Sequence, residues 1–244
     1  MNIVLLTACG VGGATVFGSV IGFCLKKISY RLNDLILAAA AGIMLSAAAF
    51  GLVLPATEDG GIMSLVTVCL GMLCGALFLI LLERPVPYIY RLLFDGRAEN
   101  AVASRVLLLV AAIAVHNFPE GLAAGVGFGL GNTERAVAIA IGIAVQNIPE
   151  GMMIISPMLS AGFGRKKTFL CALATGAVEV IGTLIGYFGA ALSERILPFA
   201  LAFAGGTMIF VICDSMIPEI YSHGNGRAAS IVLILGFCVM LVFM

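Results

Sequence analysis

Two six-residue stretches hold the residues of this chain that can do chemistry. His116-Asn117-Phe118-Pro119-Glu120-Gly121 and Gln146-Asn147-Ile148-Pro149-Glu150-Gly151 share one pattern: polar, Asn, apolar, Pro, Glu, Gly. Side chains four apart lie on one face of a helix, which pairs His116 with Glu120 and Gln146 with Glu150. Asn117 and Asn147 turn about 100° away, towards a second, adjacent position. Pro119 and Pro149 lack an N–H, so the carbonyls of Val115 and Val145 lose their helical partners. Gly121 and Gly151 permit close approach or a bend beside each Glu. A third carboxylate, Glu179, lies in the next apolar stretch. Imidazole nitrogen with carboxylate and amide oxygen, and no thiolate, suits a divalent transition metal such as Zn²⁺, Fe²⁺ or Mn²⁺. With Glu120 and Glu150 bridging, the set can serve two such ions, the second completed by Glu179.

The elements that must position these groups are set by composition. The 244 residues are 61% hydrophobic and only 11% charged, against about 25% charged in soluble domains. That excludes an ordinary soluble enzyme, and it excludes disorder, which needs many charges and few apolar residues. A formal net charge of zero leaves no electrostatic footprint for nucleic acid. Eight apolar stretches, at 3–25, 35–57, 62–82, 106–130, 136–159, 169–192, 197–217 and 228–244, approach or exceed the roughly 20 residues that cross a bilayer as a helix. None alternates apolar and polar residues as a membrane barrel strand does. The sequence therefore predicts an all-α integral membrane protein with eight transmembrane helices and a single transmembrane domain over 1–244. The fourth and fifth helices are expected to be broken at the midplane by their prolines.

Depth sharpens the chemistry. The fourth stretch has its middle near residues 117–118, the fifth at Asn147 and the sixth at Val180, so Glu120, Glu150 and Glu179 all fall within about one turn of the membrane centre. A carboxylate there costs about 2.5–3.5 kcal/mol to insert. Three at one depth must share either positive charge or protons.

Orientation follows from the cations. Lys26, Lys27, Arg31, Arg84, Arg91, Arg97, Arg105, Arg165, Lys166, Lys167 and Arg227 fall on one side of the eight-span scheme, leaving only Arg135 and Arg195 on the other. The positive-inside rule makes the first side cytoplasmic and both termini external. Leu6-Thr7-Ala8-Cys9 resembles a lipoprotein cleavage box. However, no Lys or Arg precedes the apolar run as a signal peptide requires, so no processing is expected. The seven cysteines form no CxxC pair and are expected to be small hydrophobes packed between helices. Glycines four apart, as in Gly18/Gly22, Gly71/Gly75 and Gly121/Gly125/Gly129, read as faces where membrane helices approach closely.

Other readings of the buried groups are narrower. A proline kink with an interhelical hydrogen bond explains one copy of the motif but not two copies plus Glu179. A proton-only relay would use the same Glu and His116 but leaves Asn117, Gln146 and Asn147 without a task; a proton- or sodium-coupled carrier of another solute, using the same buried carboxylates, is the alternative reading. A metalloenzyme commonly carries an HExxH helix; the chain has two His in all, His116 and His223, and no such motif. No GxxxxGK[ST] phosphate loop is present, so no ATP site or other prosthetic group is expected.

At HNFPEG (116–121) and QNIPEG (146–151) the chain resembles the ZIP (Zrt/Irt-like) family of divalent metal transporters, within it the bacterial GufA-like group. Glu179 falls where the family's sixth-span ligand is expected. The resemblance implies metal import into the cytoplasm across a cell (inner) membrane, zinc foremost, with iron, manganese or cadmium as alternatives. It implies that His116, Glu120, Gln146 and Glu150 hold the first metal. Asn117, Asn147 and Glu179 would hold the second, with the two bridging Glu. Asn147 departs from relatives that carry Asp there and removes one negative charge from the second position. The resemblance further implies a homodimer, and an elevator-like shift of spans one, four, five and six against the remainder. The 83–104 connection contains no His, so no metal-sensing loop is expected. Glu58 and Asp59 are either an acidic entrance or a solvated turn. Asp214, Glu219 and His223, near the cytoplasmic end of span seven, are exit candidates by the same resemblance.

Overall fold

Backbone N–H and C=O groups in lipid must be satisfied within the chain, and apolar runs of this length achieve that as helices. The computed structural model describes residues 2–25, 29–58, 60–85, 88, 101–128, 133–191 and 196–243, and of residues 83, 101, 102, 104, 105, 135 and 191 the backbone alone. The described residues form helices and turns without a strand. In chain order the helices are α1 (Asn2–Cys24), α2 (Tyr30–Ala56), α3 (Ile62–Glu83), α4 (Ala101–Gly127), α5 (Thr133–Ser160), α6 (Arg165–Ala191), α7 (Leu197–Tyr221) and α8 (Gly226–Val242). Seven of them, α1 to α7, are long and apolar enough to cross a membrane, and α8 is a shorter apolar helix.

Several helices outrun their apolar stretches, because the stretch marks what lipid covers and the helix continues into the interface. Ser29 caps α2, accepting a 3.2 Å hydrogen bond from the Leu32 amide, so this helix starts five residues before the predicted span. Helix α6 begins on the charged run Arg165-Lys166-Lys167. The turn between α5 and α6 closes with Phe163 N–H on Met158 O (3.1 Å) and Gly162 N–H on Leu159 O (3.0 Å). Gly162 sits at φ 87°, the left-handed conformation that this helix stop needs.

The prolines act opposite to expectation. Helices α4 and α5 run unbroken through Pro119 and Pro149; each proline forfeits one backbone hydrogen bond, a loss that membrane helices tolerate when neighbours pack around it. The irregular backbone lies elsewhere. Ala47–Val53 in α2 and Ile212–Met216 in α7 are π-helical. Each stands just before a proline, Pro55 and Pro218. A proline ring clashes with the carbonyl four residues back, and a wider turn there makes room for it.

The helices divide into two groups. Helix α1 packs on α5 and α6, and α4 packs on α6; separately, α2 packs on α8 and α3 on α7. Helix α2 is central, 67% buried along its span, and α3 peripheral at 22%. Within each group, glycines bring backbones together. A Cβ on Gly18 would stand 2.0 Å from the Ile148 carbonyl, and one on Gly42 would stand 2.0 Å from that of Leu233. The predicted faces at Gly18/Gly22, Gly71/Gly75 and Gly121/Gly125 are all such close approaches; Gly129 lies outside the described residues. The cysteine expectation is corrected: Cys9, Cys24, Cys69, Cys74, Cys213 and Cys238 are exposed on the helix bundle and Cys171 is half-buried. A weakly polar thiol is as compatible with lipid as with a helix interface, and the apolar pattern does not separate the two.

Candidate metal centre

Helices α1, α4, α5 and α6 enclose a polar interior. Of thirteen fully buried polar or charged residues among the described ones, ten belong to these four helices, including Asn117, Glu120, Gln146, Asn147 and Glu179 at 0% exposure. His116 and Glu150 are half-buried. The glycine that ends each motif explains how the helices meet there. A Cβ on Gly121 would stand 2.2 Å from the Glu179 carbonyl, and one on Gly151 would stand 1.9 Å from that of Thr15. Only glycine lets α4 touch α6, and α5 touch α1, at the depth of the carboxylates.

Glu179 is the most densely bonded side chain of the interior. Its Oε1 accepts from the Asn117 amide at 2.5 Å and from the Thr15 hydroxyl, and its Oε2 accepts from the Asn147 amide at 2.5 Å. Asn147 also reaches towards the Val11 carbonyl at 3.5 Å. The residues expected at the second metal position are thus brought together, with amide nitrogen facing Glu179.

Glu120 is the opposite case. It lies within electrostatic reach of both Glu150 and Glu179, with Gln146 beside it. Yet both Glu120 oxygens, both polar atoms of Gln146 and the amide oxygens of Asn117 and Asn147 lack a well-formed hydrogen bond. These are six of the eight buried side-chain polar atoms without a partner among the described residues. Native proteins leave few such atoms, and a cluster of them needs a cause. Five of the six are oxygens, the donor type that divalent cations take. The carboxylates and imidazole do not form a ready-made shell: among the described residues no three His, Cys, Asp or Glu side chains stand within one cation's reach. Glu179 is engaged by its donors instead.

The entrance and exit candidates scatter. Glu58 is exposed in the turn after α2 and Asp59 lies outside the described residues. Asp214, in the π-helical turn of α7, and Glu219 are exposed and do not gather with His223. His223 instead meets Asp34, Nδ1 to Oδ1 at 3.0 Å, and stacks on Tyr30 with ring centroids 4.6 Å apart. Asn225 donates to the other Asp34 oxygen at 2.8 Å. This fully buried Asp34 ties the α7–α8 turn to the start of α2. Neither Asp34 nor Thr15 stood out in the sequence. Asp34 was legible as a carboxylate just ahead of an apolar run, whereas nothing distinguishes Thr15 from other hydroxyls in membrane helices.

A multi-pass helical membrane protein with a polar interior rich in unpartnered oxygens is the class that fold and site define. Sequence comparison refines it. Residues 95–244 match the profile of the ZIP zinc transporters. The chain is 35% identical over 199 residues to the zinc transporter GufA of Myxococcus xanthus, covering 79% of this chain and 78% of that one. It is 32% identical over 234 residues to the zinc transporter ZIPB of Bordetella bronchiseptica, covering 93% and 76%. With the human zinc transporter ZIP11 it shares 43% over 143 residues, 56% of this chain and 42% of that protein. The chain belongs to the ZIP family.

Proposed function

We propose that this chain carries divalent transition-metal ions, zinc foremost and iron, manganese or cadmium by the same chemistry, across a cell (inner) membrane into the cytoplasm. The observation that carries this reading is the cluster of buried oxygens without partners around Glu120 and Gln146. In an apolar interior such atoms are costly, and a doubly charged ion passing through is the partner they fit. His116, Glu120, Gln146 and Glu150 are the ligands, closing around the cargo as it replaces its hydration shell. A membrane potential negative inside favours inward movement by about 2.3 kcal/mol per charge per 100 mV, hence about 4.6 kcal/mol for a divalent ion.

The eight-span topology with external termini rests on the distribution of Lys and Arg. The division into two helix groups supports an elevator-like movement of α1, α4, α5 and α6 against α2, α3, α7 and α8. The outer flank of α3, with Leu65, Leu70, Leu73, Leu77 and Leu81 all more than half exposed, is an apolar surface on which a second copy can pack to form the homodimer.

The test is uptake of labelled zinc into proteoliposomes, with thermal stability of the purified protein in parallel. Wild type takes up zinc and gains stability with Zn²⁺ or Cd²⁺. Glu120→Ala with Glu150→Ala reduces uptake to the level of empty vesicles and removes the gain, while the protein still elutes as a folded species. Undiminished uptake by the double variant would overturn the assignment. Wild type indifferent to every divalent ion tested would favour a proton- or sodium-coupled carrier of another solute.

A further inference from the structure

Each of the four helices around the polar interior sends one side chain to the same carboxylate: Thr15 from α1, Asn117 from α4, Asn147 from α5 and Glu179 itself from α6. All four are fully buried. Two of the helix pairs are sealed beside this point by backbone contact, Gly121 on Glu179 and Gly151 on Thr15. We propose that Glu179 is a positioning residue, the knot that fixes four helices as one body, and that the interior of this chain holds a single divalent ion where a second ligand position is occupied by the knot. The inference rests on the transport reading above, with Glu120 and Glu150 as ligands.

The reasoning is one of donors and acceptors. The two Glu179 oxygens offer about four lone-pair sites; three accept from two amide N–H groups and a hydroxyl. Both amides therefore turn nitrogen, not oxygen, towards Glu179. A cation beside Glu179 would face N–H dipoles of the wrong sign unless both amides flipped and gave up their bonds to the Glu179 oxygens. Asn147 adds no charge to attract it. The same bonds have a positioning consequence. Asn117 stands three residues before Glu120, and Asn147 three before Glu150, in unbroken helices. Holding the two amides on one carboxylate sets the rotation of α4 and α5 about their axes, and with it the aim of both ligand carboxylates. Thr15, which belongs to neither motif, becomes a determinant of metal affinity from a helix that supplies no ligand.

Full-length protein in detergent, titrated with Cd²⁺ by equilibrium dialysis, tests this. Wild type binds one ion per chain at high affinity. Glu179→Gln keeps that stoichiometry with weakened affinity, since an amide retains one acceptor oxygen. Thr15→Val, close in shape but without the hydroxyl, raises Kd about tenfold, as removing a group that orients a ligand does, and Thr15→Ser restores it. Asn147→Asp adds a second ion. Two ions in wild type falling to one in Glu179→Gln would make Glu179 a ligand and overturn the proposal, as would wild-type affinity in Thr15→Val. Failure of the transport reading is separately visible: Glu120→Ala with Glu150→Ala would then leave Cd²⁺ binding unchanged.

Discussion

The two helix groups are built from similar apolar sequence and pack by the same glycine contacts, yet their interiors differ. Helices α1, α4, α5 and α6 bury ten polar or charged residues, while α2, α7 and α8 centre on Met44, Leu52, Leu201, Met208 and Ile212, each fully buried. Fully buried polar groups in the second set are few among the described residues: Asp34 near one end, Ser46 and Thr207. A membrane protein with no hydrophobic drive between helices relies on close packing and on polar ties. Here the buried ties gather in one group, while the other is held mainly by shape, with the Asp34 bonds to His223 and Asn225 at one end. Stability and function should therefore separate when the apolar group is altered and fail together when the polar group is.

The largest expected effect comes from Gly151→Val. Its side chain would overlap the Thr15 carbonyl, which no rotamer can relieve, so α1 and α5 must part and the bonds to Glu179 go with them. Zinc uptake and Zn²⁺-dependent stabilisation are lost, and melting in detergent shows destabilisation of about 3 kcal/mol or more, the upper end for overpacking. Met208→Ala, in the apolar group, leaves a cavity worth about 2–5 kcal/mol and lowers the melting temperature. The dissociation constant for Cd²⁺ stays at the wild-type value; a parallel loss of affinity would break the comparison. Asp34→Asn is smaller still. It weakens the ties to His223 and Asn225, a loss of about 1–3 kcal/mol for charge-assisted bonds. Hydrogen exchange should rise in the turn between α7 and α8 with metal binding intact.

Much of this architecture was legible in the letters. The helices follow from apolar run length, and the repeated motif identified the residues that line the polar interior, because polar groups within an apolar stretch are too expensive to be incidental. What stayed hidden depends on neighbours. Thr15 matters only because α1 crosses α6 at Glu179, and no periodicity within α1 reveals that crossing. The amide nitrogens of Asn117 and Asn147, not their oxygens, face Glu179, which residue type alone does not decide. The prolines misled for the same reason: Pro119 and Pro149 sit in helices supported on several sides and leave them continuous, whereas Pro55 and Pro218 coincide with widened turns. His223 read as an exit group, but its partner is a buried carboxylate from another helix, distant in sequence.

Backbone meets backbone inside each helix group, but between them the joint is soft. Opposite Gly142 of α5 stands the thioether of Met240 of α8, where an added Cβ would come within 2.6 Å of its sulfur, with Ile43 of α2 behind at 3.6 Å. The Phe118 ring of α4 rests on Phe78 of α3, centroids 6.2 Å apart. An unbranched methionine re-forms its contacts by rotating about three bonds, so these surfaces behave as a bearing where the glycine joints behave as welds. These contacts yield by rotamer change, with no backbone to part. A β-branched residue in place of Met240 would stiffen this contact while leaving the packing inside each group intact.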